Sequence, residues 1–145
     1  MTIRSLAFAL AAAAAIASPA GLRADDNHVK GAKPLHISQG QEVRLEDYLV
    51  PGKVTIFDFY SEFCPPCRAL GPRLEQLHES RADIAVVKVD INRPDVRGID
   101  WKSPVSLEFK LHSIPHLSVY DASGAHKEDL DGKDVWTAVD GWSQP

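Results

Sequence analysis

The feature that most constrains this 145-residue chain is an apolar strand pattern that runs directly into two cysteines. Residues 57–68 read Phe-Asp-Phe-Tyr-Ser-Glu-Phe-Cys-Pro-Pro-Cys-Arg, and Cys64 and Cys67 are the only cysteines in the chain. The nearly continuous apolar and aromatic run over 53–60 is typical of a central strand that is buried on both faces. Proline is favoured in the first turn of a helix, so the pattern predicts a strand followed by a helix that begins at the cysteine pair.

The rest of the chain alternates between strand and helix patterns. Leucines at spacings of three and four extend the helix to Ser80, and Pro72 inside it should kink it. The other predicted elements are a short strand over 43–45, a helical turn over 46–50, strands over 84–90, 116–120 and 127–130, helices over 104–111 and 133–142, and a loop over 92–103. This order predicts an α/β fold: a central mixed sheet flanked by helices on both faces.

The first 24 residues have the pattern of a secretory signal. A short basic start precedes the alanine-rich apolar run Leu6–Ala17, and small residues then allow cleavage after Ala20 or Ala24. An uncleaved anchor is the alternative, but a membrane span needs roughly 20 apolar residues. We therefore expect a periplasmic or secreted protein, in a compartment where disulfides persist. The predicted division is a signal peptide over 1–24, a flexible arm over 25–40 and one domain over 41–145.

Composition narrows the classes of partner. The chain has 16 basic and 20 acidic residues, a net charge of −4, and its charges are interleaved along the sequence. Because no basic run is present, we expect no nucleic-acid partner. No cofactor motif is present either, so we expect no cofactor.

Four chemistries could explain the cysteine pair. Covalent haem would require histidine directly after the second cysteine, where Arg68 stands. A zinc site would need two further ligands, which the distant His112 and His116 could supply, but Pro115 lies between them. A purely structural disulfide would close a very short loop and stabilise the fold little. A redox-active dithiol is favoured over the metal site and the structural disulfide.

The expected helix gives the two cysteines different roles. Cys64 would lie at the helix N-terminus, where free N–H groups and the helix dipole favour a thiolate and lower the pKa of the thiol. The thiolate is the attacking species in thiol–disulfide exchange. Cys67, one turn later, would be shielded and would resolve the mixed disulfide.

The motif Phe-Tyr-Ser-Glu-Phe-Cys-Pro-Pro-Cys-Arg-Ala-Leu-Gly-Pro resembles the active-site strand and helix of thioredoxins. The resemblance extends over roughly residues 40–142 and implies a thioredoxin fold with dithiol–disulfide oxidoreductase activity. It also implies a catalytic role for Asp58, as the family's buried acid, and for Lys88 beside it. It implies a redox disulfide Cys64–Cys67, a cis bond before Pro115, and a substrate-binding surface formed by Phe63, Pro65, Pro66, Ile114, Pro115 and Gly132.

Asp58 has a physical interpretation of its own. A buried carboxylate is costly unless it is neutral or paired, and desolvation raises its pKa. Such an acid could accept the proton of Cys67 as the mixed disulfide resolves. The alternative is a surface acid on a wet strand edge, and Lys88 would then be an exposed lysine.

This chain departs from the family pattern at three places. Phe63 stands where thioredoxins usually have tryptophan, and Pro65-Pro66 replaces the commoner Gly-Pro. The loop over 93–103 is longer than usual, and we expect its Trp101 to cover the core rather than contact a partner. Five histidines are predicted to be surface residues (His28, His36, His78, His112 and His126), with His116 at the rim of the site.

The leading hypothesis is an exported, monomeric thiol–disulfide oxidoreductase that reduces protein disulfides. An exported reductant needs electrons, so a membrane thiol carrier is the expected donor. A disulfide oxidase or isomerase is the enzymatic alternative. A metal-binding or redox-inert binding module is the alternative from a different class.

Overall fold

A computed structural model describes residues 32–144 of the chain. The strands are β1 (Leu35–Ile37), β2 (Val54–Tyr60), β3 (Ile84–Asp90), β4 (His116–Tyr120) and β5 (His126–Asp131). The helices are α1 (Pro65–Ser80), α2 (Pro104–Glu108) and α3 (Gly132–Trp142), with a 3₁₀ turn over Leu45–Tyr48. The predicted bounds of α1, β3 and β4 are confirmed.

The five strands form one mixed sheet in the order β1-β3-β2-β4-β5. β2 is central, parallel to β3 and antiparallel to β4, while β1 adds to β3 in parallel and β5 completes a hairpin with β4. The predicted mixed sheet with helices on both faces is therefore confirmed. Its central strand ends at the cysteine motif, so the longest pairing in the sheet supports the site.

Successive residues of β2 point to opposite faces of the sheet and enter two separate apolar clusters. Ile56 faces the leucines of α1 and the valines of α3. Phe57 and Phe59 face the other way, toward Leu45 and α2. This alternation explains why the whole strand reads as apolar in sequence.

Helix α1 begins where the sequence predicts. Cys64 is its N-cap residue, with the two prolines in the first helical turn, and the helix continues past Pro72 to Ser80. Its buried side includes Cys67, Leu70 and Leu74, so the helix holds one cysteine at its tip and the other against the sheet.

Four expectations were wrong, the fourth of which concerns Trp101. A flexible arm was predicted over 25–40, but Leu35–Ile37 in this segment forms β1 and pairs with β3. A strand of three residues at the edge of a sheet is specified by its partner strand rather than by its own sequence pattern. No strand forms over 43–45, where the 3₁₀ turn begins at Leu45. His78, which was expected at the surface, is buried. Its Nδ1 accepts a hydrogen bond from the N–H group of Val86, which precedes the part of β3 that pairs with β1.

Trp101 is 38% exposed, so it does not cover the core as expected. The predicted signal peptide and residues 25–31 lie outside the described residues. Within residues 32–144 we find no helix that is both long and apolar enough to cross a membrane.

Candidate active site

The cysteine pair lies where β2 gives way to α1. Cys64 and Cys67 form a disulfide, with their Cα atoms 5.2 Å apart. The Cys67 N–H donates to Cys64 Sγ across 3.2 Å, so the first sulfur occupies the N-cap of the helix as expected. A free N–H group aimed at this sulfur would stabilise a thiolate there once the disulfide is reduced.

The loop before β4 faces the first cysteine. The Ile114–Pro115 peptide bond is cis, as the resemblance implied. Cys64 Sγ lies 3.7 Å from the carbonyl oxygen of Ile114. The structure therefore brings together the N-terminal cysteine, the two exposed prolines of the motif and this loop.

Gly132 is connected to the same loop through its neighbour. Asp131 accepts hydrogen bonds from Ser113 (2.6 Å) and from the ring of His116 (3.0 Å), which flank the cis bond. Gly132 itself begins α3 at φ +53°, a conformation that favours glycine. His116 thus lies at the rim of the site, as predicted, and a β4–β5 contact joins Gly132 to it.

Asp58 is buried, with 1% of its side chain exposed, so the alternative of a wet strand edge is wrong. Lys88 is also buried, and its Nζ lies 3.1 Å from Oδ2 of Asp58. The geometry of this ion pair leaves both carboxylate oxygens without an aligned hydrogen bond. Desolvation raises the pKa of Asp58, and the lysine opposes that rise.

The ion pair lies under the helix turn that follows the second cysteine. A Cβ atom on Gly71 would be 3.4 Å from Lys88 Nζ, and Gly71 is one turn after Cys67 on the buried side of α1. Asp58 is therefore on the side of the disulfide that solvent does not reach.

Two residues of this region were not identified from the sequence. The Tyr60 ring lies 4.6 Å from Lys88 Nζ, measured to the ring centroid, and its hydroxyl is 2.9 Å from Nδ1 of His36. Burial raises the pKa of Tyr60, so the phenol keeps its proton. Tyrosine in a strand reads as core, but its spacing of two from Asp58 places both on one face and could have revealed it.

A groove of about 660 Å³ opens on the other side of the motif. Its walls are the half-exposed Phe63 and the start of the long loop; the lining residues are Gln39, Glu62, Phe63, Asp90, Asn92, Arg93, Pro94, Asp95, Val96 and Arg97. The loop is held in shape by Arg93, whose guanidinium donates two hydrogen bonds to the buried Asp100 (2.7 and 3.0 Å).

The alternative of a metal-binding site has no suitable set of ligands in the described part of the chain. Residues 32–144 contain no group of three or more His, Cys, Asp or Glu side chains placed to hold a metal ion. His112 is exposed, whereas the Nδ1 atom of His116 faces Asp131.

Comparison with known proteins agrees with this geometry. The profile of the family described as Thioredoxin matches residues 40–139. The thioredoxin of Mycoplasmoides gallisepticum is 34% identical over 80 residues, which are 55% of this chain and 70% of that protein. The chloroplastic thioredoxin-like protein HCF164 of Oryza sativa is 29% identical over 91 residues, 61% of this chain but only 32% of that longer protein.

The solved structures show the same fold. A mutant thioredoxin from Halobacterium salinarum superposes with a TM-score of 0.54 at 23% identity, covering 78% of this chain and 93% of that one. Spinach chloroplast thioredoxin f gives 0.55 at 16% identity, covering 83% and 93%. With a disulfide at the tip of α1 and a buried acid beneath it, the chain belongs to the thioredoxin family of thiol–disulfide oxidoreductases.

Proposed function

We propose that this protein is an exported thiol–disulfide oxidoreductase that reduces protein disulfides through a Cys64/Cys67 cycle. The observation that carries the proposal is the asymmetry of the pair. The Cys64 sulfur receives the Cys67 N–H at a helix N-terminus, beside the exposed prolines, whereas Cys67 is on the helix face that covers Asp58 and Lys88. This asymmetry supports a role in attack for Cys64 and a role in resolution for Cys67.

The cycle follows from this placement. The Cys64 thiolate attacks one sulfur of the substrate disulfide, and the other substrate sulfur leaves as a thiolate. Cys67 then loses its proton to Asp58 and attacks Cys64 Sγ. This step forms the Cys64–Cys67 disulfide and releases the second substrate sulfur as a thiolate. Substrate has gained two electrons, and the protein must be reduced again before another turn.

The site rim supports a polypeptide substrate. Thioredoxins act on protein disulfides and take electrons from reductases. Ile114 presents its carbonyl beside the attacking sulfur, and an extended segment of substrate could pair with this backbone. Phe63 adds an apolar surface at the edge of the 660 Å³ groove.

Export and electron supply rest on the sequence. The signal pattern over residues 1–24 supports export to the periplasm or beyond, and an exported reductant needs a membrane thiol carrier as its donor. The protein would work as a monomer. N-terminal sequencing of the exported protein should give a chain that begins at Asp25, or at Gly21 for the earlier cleavage site; an intact Met1 would contradict export by cleavage.

The direction of electron flow is decided by the reduction potential. Stabilising the Cys64 thiolate makes a couple more oxidising, whereas Asp58 disfavours a second negative charge nearby. Thioredoxin and a strong disulfide-introducing oxidant, two reference examples, have potentials of about −270 and −120 mV. Equilibration with dithiothreitol buffers should place this protein in the reducing half of that interval. A value near the oxidant's, with fast oxidation of a reduced unfolded protein, would support the oxidase alternative.

Trapping tests the two cysteine roles. Cys67→Ser should accumulate mixed disulfides with protein substrates, whereas the matched variant Cys64→Ser should not. The opposite pattern would reverse the assignment. If neither variant traps substrate and the reduced wild type binds zinc at one ion per chain, the binding-module alternative would hold instead.

A further inference from the structure

A row of three polar residues crosses the sheet beneath α1. His36 of β1 is aligned with Lys88 of β3, which is aligned with Asp58 of β2. Residues that are directly opposite on neighbouring strands point to the same face, so the three side chains share the face that α1 covers. Ile56 and Val86 continue this face into the apolar cluster. Only this end of the face, toward the cysteines, is polar.

Tyr60 closes the row into a connected group. It is two residues beyond Asp58 and therefore on the same face. Its ring is 4.6 Å from Lys88 Nζ, within the range of a cation–π contact, and its hydroxyl is 2.9 Å from His36 Nδ1. The two rings also meet edge to face, with centroids 5.7 Å apart. Each member of the group contacts the next, from the surface at His36 to the buried Asp58.

The geometry separates two possible roles for this group. A proton relay would require hydrogen bonds from the carboxylate through lysine and tyrosine to histidine. The Lys88 ammonium instead lies against the face of the tyrosine ring, and the phenol hydrogen bond goes to His36. The contacts therefore hold the ammonium in place rather than conduct a proton past it.

We propose that Tyr60 and His36 are positioning residues that set the proton affinity of Asp58 by holding the Lys88 ammonium against it. The aromatic face attracts the ammonium and fills the space into which it could turn away. The hydrogen bond from ring to ring fixes the tilt of that face. The proposal rests on the proposed function only for the use of Asp58 as a proton acceptor.

Three further carboxylates act on the group. Asp90 of β3 acts on both Tyr60 and His36, Glu62 in the turn after β2 acts on Tyr60, and Glu75 of α1 acts on His36. On β4, the residue opposite Asp58 is the apolar Leu117. Among the described residues that interact with Asp58, Lys88 and His36 favour its ionised form, and the lysine is the larger influence. After desolvation by burial, the position of the Lys88 ammonium is therefore the largest influence on the Asp58 carboxylate.

Titration of the Asp58 carboxyl carbon by NMR, on the oxidised full chain, tests the proposal without any assay of activity. Tyr60→Leu removes the aromatic face and should raise the midpoint of the Asp58 titration by about half a pH unit or more. Tyr60→Phe keeps the face but loses the hydrogen bond to His36, and should give a smaller rise. Lys88→Met removes the cation and defines the largest rise attainable.

Two controls make the outcome decisive. Tyr120→Leu removes a tyrosine that contacts Phe57 and His126 instead, and should leave the Asp58 midpoint unchanged. His36→Phe removes the same hydrogen bond together with the direct effect of His36 on Asp58, so its rise should be at least that of Tyr60→Phe, and it serves if Tyr60→Leu does not fold. A rise with Lys88→Met but none with Tyr60→Phe, His36→Phe or Tyr60→Leu would overturn the positioning role. If the Tyr60 variants show the expected rise in the Asp58 midpoint but the wild type reduces no protein disulfide, the proposed function is wrong and this inference still holds.

Discussion

The two faces of the central sheet differ in whether they bury charged side chains. The face toward α2 is mainly apolar, with Phe57, Phe59 and Val89 fully buried, and its buried polar side chains on the central strands, Thr55 and Ser118, are uncharged. The face toward α1 is apolar only away from the cysteines and carries Asp58 and Lys88, both buried, at its other end. One strand supplies both faces through alternate residues.

The difference separates what stabilises the fold from what the chemistry requires. Apolar burial contributes roughly 25 cal/mol per Å² with no requirement for a partner. A buried ion pair gives weak evidence for stability, because desolvation of both charges opposes their attraction. Stability therefore gives little account of the polar end of the α1 face, which is consistent with the proposed role of Asp58 in the cysteine cycle.

Breaking the apolar face should have the largest effect on stability. Phe59 is fully buried between Phe109 and His116, with ring centroids 4.9 and 5.4 Å away. Phe59→Ala should lower the free energy of unfolding by about 3–5 kcal/mol, measured by urea denaturation of the oxidised protein. Leu107→Ala, at a residue that is 65% exposed, is the control and should change it by no more than about 0.5 kcal/mol. Equal losses would contradict the assignment of the core.

Substitution at the polar end of the α1 face should affect the rate of disulfide exchange more than stability. Asp58→Asn cannot take the proton of Cys67, so resolution of mixed disulfides near neutral pH should slow by about tenfold or more. Stopped-flow exchange with a protein disulfide, followed from pH 6 to pH 9, measures the step. Rates that match the wild type over the whole range would remove Asp58 from the mechanism.

Asp58→Asn should also change how the free energy of unfolding depends on pH. Burial raises the pKa of Asp58, so the folded protein keeps a proton that the unfolded chain has already lost. Its contribution to stability is full below the ordinary carboxyl pKa of about 4 and is lost as pH rises through the folded pKa. The wild type should lose up to about 1.4 kcal/mol per pH unit in that window relative to Asp58→Asn. Parallel stability curves for the two oxidised proteins would show that the acid is not perturbed.

The two faces also differ in how far sequence could predict them. The apolar end follows from periodicity, and α1 begins and ends where its prolines and leucines indicate. An acid within an apolar strand identified Asp58, and only the family resemblance suggested Lys88 as its partner. His36 was not identified because its role depends on the register of β1 with β3, which no local pattern encodes. Tyr60 shares the face of Asp58 by its spacing of two, but an aromatic residue in a strand is normally interpreted as core.

His78 shows the opposite case, in which the signal was present. It follows Leu74 by four residues and Leu77 by one, so helical spacing places it on the buried side of α1. A histidine was read as polar and therefore exposed. Whether the N–H group of Val86 is available to His78 depends on the residue at which β1 begins to pair with β3, and the sequence does not predict that residue.

The smallest effect is expected where the α1 face meets solvent. Arg73 of α1 pairs with Asp140 of α3, with side chains 36% and 59% exposed, and its guanidinium lies 5.8 Å from the ring of Trp136. Exposed ion pairs contribute roughly 0–1 kcal/mol and are screened by salt. Asp140→Asn should therefore lower the free energy of unfolding by less than about 1 kcal/mol at low salt, with the difference vanishing near 1 M salt. The Asp58 titration midpoint, set by a buried pair, should move far less over the same salt range. If salt shifted the buried pair as strongly as it weakened the exposed one, solvent would reach Asp58, and the distinction between the two faces would fail.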